Sequence, residues 1–123
     1  MICDLTHICN MNRLESMDSM HELLEDICQL YDFSVLTKSQ HQFEPQGLTV
    51  LYMLSESHIS IHTFPEQQYL AFDIYTCRDY EDDRIYMEIY DKLVKWFQCD
   101  RKTPTIISRG VNPCVNDSVS SPY

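Results

Sequence analysis

Three strand-like stretches lie almost end to end in the middle of this chain, and they constrain its fold more than anything else in it. Residues 48–53 are a continuous apolar run interrupted only by Thr49, the pattern of a buried strand. From 58 to 64 the sequence alternates: Ile59, Ile61 and Thr63 point one way, His58, Ser60, His62 and Phe64 the other. Pro65-Glu66-Gln67-Gln68 turns the chain, and 69–77 alternates again. There Leu70, Phe72, Ile74 and Thr76 oppose Tyr69, Ala71, Asp73, Tyr75 and Cys77. Strands joined by turns this short pair antiparallel, so an antiparallel sheet is the expected centre of the fold.

Two glycines and five prolines punctuate 123 residues, which favours long regular elements around that sheet. Residues 1–8 read as a short strand. Ser16 or Asp18 can cap a helix running to Tyr31, with Met17, Met20, Leu24, Ile27 and Leu30 as its apolar stripe. Residues 33–43 are β-prone, and Pro45-Gln46-Gly47 marks a turn. A second helix fits 82–98 through Ile85, Ile89, Leu93 and Trp96, and 104–108 reads as a last strand. Periodicity ends at Gly110, which predicts one domain over 1–110 and a loose tail over 111–123.

The predicted order is β-α-β-β followed by β-β-α-β, a pseudo-repeat of pattern without evident sequence identity. Helices on one face of an antiparallel sheet make an α+β fold, a two-layer αβ sandwich. Ile59, Ile61, Leu70, Phe72 and Ile74 would cover the helix-facing side. The other side carries Phe64, Tyr69, Tyr75 and Cys77 mixed with His62 and Asp73. That is too aromatic for open water and too polar for a core. A homodimer with two sheets packed face to face, a four-layer αββα with a site built into its interface, resolves the conflict.

A net charge of −10 argues against nucleic acid, which is held mainly by basic faces, and is compatible with a cationic substrate. No apolar run approaches the roughly 20 residues that span a bilayer. Met1-Ile2-Cys3-Asp4 lacks the basic and apolar regions of a signal peptide, so a cytoplasmic protein without membrane partners is expected. Six cysteines occur without any C-x-x-C pair, and most of them read as small buried hydrophobes in a reducing compartment rather than as disulfides or a zinc ribbon. Cys77 is set apart below.

Residues 54–66, Leu54-Ser55-Glu56-Ser57-His58-Ile59-Ser60-Ile61-His62-Thr63-Phe64-Pro65-Glu66, place two serines, an acid and two histidines in and beside a strand. His58 and His62 would suit zinc on a helix. On a strand, four residues span about 13 Å and one metal cannot bridge them, so no metal site is expected. A serine hydrolase lacks its G-x-S-x-G elbow here. By spacing alone, a strand with polar residues facing water accounts for the segment equally well.

Two stretches break that tie: Pro45-x-Gly47 with Ser55-Glu56-Ser57-His58 and Ile61-His62-Thr63-Phe64-Pro65-Glu66, and then Phe72-Asp73-Ile74-Tyr75-Thr76-Cys77. At these separations they resemble the short prokaryotic class of the S-adenosylmethionine decarboxylase family, across most of 1–110. Members of that family are proenzymes that make a covalent pyruvoyl cofactor from an internal serine. The resemblance implies cleavage between Glu56 and Ser57 into a β chain, 1–56, and an α chain, 57–123. Ser57 becomes the pyruvoyl group, which forms a Schiff base with the substrate amine and accepts charge as CO₂ leaves. His62 assists processing as a proton acceptor, a role suited to an imidazole whose ordinary pKa is near 6.5. Thr49 falls where the family often has a serine that helps the acyl shift.

Cys77 aligns with the acid that returns a proton to the substrate carbon. Phe43 and Phe64 match rings that stack the adenine of S-adenosyl-L-methionine, with Phe where many relatives have Trp. Glu66 matches the carboxylate that holds the ribose hydroxyls. The product, decarboxylated S-adenosylmethionine, is an aminopropyl donor for spermidine. The sequence departs from the family at Cys77-Arg78-Asp79, where glycine often follows the cysteine, and at its short N-terminus. A pyruvoyl-dependent arginine or ornithine decarboxylase and a non-catalytic regulatory homologue are the alternatives; the retained Ser57, His62 and Cys77 argue against the second.

Overall fold

The computed structural model describes residues 1–110. Within them the chain runs β1 (Ile2–Leu5), α1 (Met11–Leu14), α2 (Met17–Leu30), β2 (Val35–Gln42), β3 (Leu48–Leu54), β4 (Ser57–Phe64), β5 (Tyr69–Tyr75) and α3 (Arg84–Phe97), with a 3₁₀ turn at Pro65–Gln67. The strands form one antiparallel sheet in the order β1-β5-β4-β3-β2, so the three central strands are those with the strongest sequence signal.

Register explains the core. Cys3, Phe72, Ile61 and Val50 lie in one row across four strands, and Ile74, Ile59 and Tyr52 in the next. All are buried beneath Met20, Leu23, Leu24 and Ile27 of α2 and Ile89, Leu93 and Phe97 of α3. Ser16 caps α2 by accepting the Ser19 N–H at 3.1 Å. The two helices are joined by the Trp96 indole N–H, which donates to Ser19 Oγ at 3.2 Å. Arg13 of α1 stacks on the Trp96 ring and donates to its carbonyl. The layers are therefore helices on one face, sheet on the other. Phe72→Ala, at the centre of the buried row, is expected to cost about 3–5 kcal/mol, read as a lower denaturant midpoint with the slope retained.

Several expectations need correction. The strand expected at 104–108 reduces to one bridge, Ile2 to Thr105, held by N–H···O bonds of 2.8 and 3.0 Å. Pro104 has no N–H to extend it, and β1 offers only four residues, ending at Leu5 rather than residue 8. The second half is thus β-β-α and the repeat is incomplete. Leu30 does not belong to the apolar stripe of α2 and is 61% exposed. The stripe set by Met20, Leu24 and Ile27 continues at Tyr31, and Ser19, Leu23 and Cys28 are buried residues left out of it. Strand β5 stops at Tyr75, leaving Thr76 and Cys77 in the loop beyond. Helix α1, too short for any periodicity, is announced only by its cap, Asn10, whose side chain accepts the Arg13 N–H.

Cys3 and Cys28 are buried as expected, and burial pushes their thiols up to about 12 and about 11. Cys9 is exposed, and Cys77 and Cys99 are half-buried, so two of the five described cysteines are buried where most were expected to be; all five are free. The expected loose tail, 111–123, lies outside the described residues. Among the described residues no helix is long and apolar enough to cross a membrane.

Candidate active site

The β3–β4 hairpin is closed by Ser55 and Glu56 alone, because Leu54 already pairs with Ser57. So tight a turn forces Glu56 to φ 60°, a left-handed conformation that costs a residue with a side chain roughly 1–2 kcal/mol. The tip is held by Ser55, whose N–H donates to Ser34 O at 3.0 Å. Beside it, the Cys77 N–H donates to Ser57 Oγ at 3.1 Å, and the Cys77 thiol donates to Glu56 Oε2 at 3.6 Å. Glu56, Ser57 and Cys77 therefore form one cluster at the end of the sheet.

A second group lies at the other end of β4, on the face away from the helices. Thr49 and His62 are cross-strand partners, and Thr49 Oγ1 lies 2.8 Å from His62 Nδ1. Phe64 stacks on Tyr69 of β5 at 5.4 Å and 21°. The Tyr69 hydroxyl donates to Asp4 at 2.5 Å, and that bond together with burial pushes its phenol up to about 12. Gln46 donates to Glu66 at 3.1 Å, tying the 45–47 turn to the turn after β4. Gly47 has φ 106°, and a Cβ there would meet Thr63 O at 3.4 Å and the Phe43 side chain at 3.9 Å. Those are ordinary contacts, so it is the positive φ that makes glycine the residue for this turn. It brings Phe43, half exposed and bonded through its N–H to Gly47 O, to the same corner as Phe64 and Glu66.

The two groups do not meet within one chain. Ser57 and His62 are five residues apart on β4, about 16 Å along a strand, and an odd spacing turns them to opposite faces. His58, nearer to Ser57, packs its ring on Tyr75 at 5.8 Å. The open face between the groups carries Leu51 and Met53, 43% and 56% exposed. Tyr69 and Gln46 belong to the second group although the motif did not single them out. The hairpin register that places Tyr69 opposite Phe64 was the available signal.

Comparison with known proteins identifies the family. A family model described as S-adenosylmethionine decarboxylase matches residues 1–110. An S-adenosylmethionine decarboxylase proenzyme from Sulfurihydrogenibium sp. (strain YO3AOP1) is 38% identical over 108 residues, covering 88% of this chain and 79% of that protein. One from Clostridium botulinum (strain Loch Maree / Type A3) is 41% identical over 76 residues, 62% of this chain and 66% of that protein. The matched stretch thus falls just short of two thirds of the clostridial chain. A crystal structure of the adenosylmethionine decarboxylase from Aquifex aeolicus VF5 superposes with a TM-score of 0.69 at 26% identity, covering 90% of this chain and 92% of that one. Matched by that family model over 1–110, and 38% identical to a relative it covers to 79%, the chain belongs to the S-adenosylmethionine decarboxylase family.

Proposed function

We propose that this chain is the precursor of a pyruvoyl-dependent S-adenosylmethionine decarboxylase that cuts itself between Glu56 and Ser57. One observation carries the reading: Ser57 Oγ is fixed by the Cys77 amide at a turn whose preceding residue is conformationally strained. That amide occupies one lone pair of the hydroxyl oxygen and aims it. Ser57 Oγ attacks the Glu56 carbonyl carbon; the C–O bond forms, the C–N bond breaks, and the departing nitrogen takes the hydroxyl proton. Relief of the left-handed Glu56 backbone favours the resulting ester. Loss of the Ser57 α-proton to His62 then breaks the Cβ–O bond and frees Glu56 as a carboxylate. Water replaces the nitrogen, ammonia leaves, and the new N-terminus is pyruvoyl.

The pyruvoyl group supplies the electron sink that decarboxylation of an amino acid requires. The chain supplies the rest. The Cys77 thiol, next to residue 57, delivers a proton to the substrate carbon that has lost CO₂. Phe43 and Phe64 offer flat faces for the adenine, and Glu66, oriented by Gln46, accepts from the ribose hydroxyls. The net charge of −10 suits a sulfonium substrate.

His62 and Thr49 lie too far from Ser57 in their own chain to take part there. A second copy packed on the open sheet face supplies them, and covers Leu51, Met53 and Phe64 in doing so. The working unit is thus a homodimer of processed protomers whose site spans the interface. Free thiols throughout the described residues suit the reducing cytoplasm.

Intact mass under denaturing conditions tests this. Freshly purified protein is expected to give fragments 1–56 and 57–123, the second lighter by one ammonia than hydrolysis alone would leave it. CO₂ release is expected from S-adenosylmethionine and not from arginine or ornithine. One uncut, folded chain overturns the reading; release from a basic amino acid overturns its substrate.

A further inference from the structure

Arg78 follows Cys77 directly and has a use that the reaction scheme leaves open. Its guanidinium donates to the Tyr31 carbonyl at 2.6 Å and to the Asp32 carbonyl, and it lies over the Phe33 ring at 4.9 Å. Tyr31 and Asp32 follow the last turn of α2, where helix carbonyls lack partners and the dipole favours a cation. Asp32 is left-handed at φ 56°, and this exposes both carbonyls side by side to one planar fork. The guanidinium also lies near enough to the Tyr80 hydroxyl to oppose the rise that burial causes there. Phe33 itself is buried and its N–H is held by Cys28 O at 2.8 Å, so the platform beneath Arg78 is part of the core.

The same short segment holds the other half of the cleavage site. Ser34, next after Phe33, accepts the Ser55 N–H from the hairpin tip. Residues 31–34 thus grip the Ser55-Glu56-Ser57 turn on one side and the loop bearing Cys77 on the other. Beyond β5 no ladder fixes that loop, because the strand ends at Tyr75. From this geometry we infer that Arg78 is a positioning residue. By clamping the loop after β5 to the end of α2, it sets the Cys77 amide on Ser57 Oγ and the thiol beside residue 57. It touches neither reacting atom and acts through Cys77 in both self-cleavage and turnover.

The inference rests on the function proposed above, and the test separates the two. In Arg78→Ala, precursor cleavage followed by intact mass is expected to slow by about tenfold or more. In the cleaved variant, kcat is expected to fall by about tenfold while KM for S-adenosylmethionine stays within about twofold. The melting temperature should stay close to wild type, since Arg78 is exposed. Arg78→Lys, which keeps the charge but not the fork, should recover part of the rate, and millimolar guanidinium should partly rescue Arg78→Ala. Wild-type cleavage and kcat in Arg78→Ala overturn the clamp. If wild-type protein does not cleave, the reading of Ser57 fails, and amide exchange at Cys77 decides the clamp alone. Exchange about tenfold faster in Arg78→Ala supports it, and equal exchange overturns it.

Discussion

Ser57→Ala is expected to leave a single 123-residue chain with no decarboxylase activity above background, the largest effect any one substitution should have here. Without a β-oxygen, residue 57 cannot attack Glu56, so neither the cut nor the cofactor follows. Enzymes accelerate reactions by at least about 10⁶-fold, and a chain without its electron sink should forfeit essentially all of that. The fold should survive, because Ser57 is half-buried at the first position of β4 and its hydroxyl accepts one bond, from the Cys77 amide. Circular dichroism and melting temperature near wild type, together with an uncut mass, are the expected pair. Fragments from Ser57→Ala would mean that the cut is contaminating proteolysis or lies at another residue.

Mixing two dead variants should restore activity, the second large effect. His62→Ala alone is expected to slow cleavage by about 10²–10⁴-fold, the usual worth of a positioned base. Ser57→Ala and His62→Ala, unfolded together and refolded, give mixed dimers in which one site has lost both groups and the other has kept both. Cleavage should then appear in the His62→Ala chain alone, which still carries Ser57. A base acting within its own chain predicts no rescue at any mixing ratio. The roughly 16 Å of strand that part Ser57 from His62 in one chain make the crossed arrangement the expected one.

What the sequence made legible follows from where each signal is stored. Strands β4 and β5 were readable because each buries one face, so alternation is imposed residue by residue; β3 was readable only as an apolar run, and it buries one face too, leaving Leu51 and Met53 exposed. Helices α2 and α3 were readable for the same reason at another period. The strand expected at 104–108 failed because pairing depends on a partner, and β1 is too short to give Ile106 and Ile107 one. Leu30 failed at a helix end, where the stripe passes to Tyr31.

The site divided in the same way. Glu56, Ser57 and Cys77 could be brought together from a hairpin and the strand beside it. That His62 faces away from Ser57 was also present in the odd spacing, but the shared motif drew the two together. Arg78 was visible only as a departure after Cys77. Its partners, Tyr31 and Asp32, lie 47 and 46 residues away in the chain, and no local pattern announces them.

The proposed cut lies at a hairpin tip, and its consequence reaches beyond catalysis. Strand β4 stays bonded to β3 on one side and β5 on the other, so the halves remain joined in one sheet after the backbone between them is gone. The precursor folds as one molecule, at a rate indifferent to its concentration. Once cut and then unfolded, the pieces must find each other by diffusion, and recovery becomes second order and slows with dilution. Processing as proposed is then expected to act as a ratchet on the folding reaction: the mature protein would be assembled from a shape that only its uncut parent reaches alone.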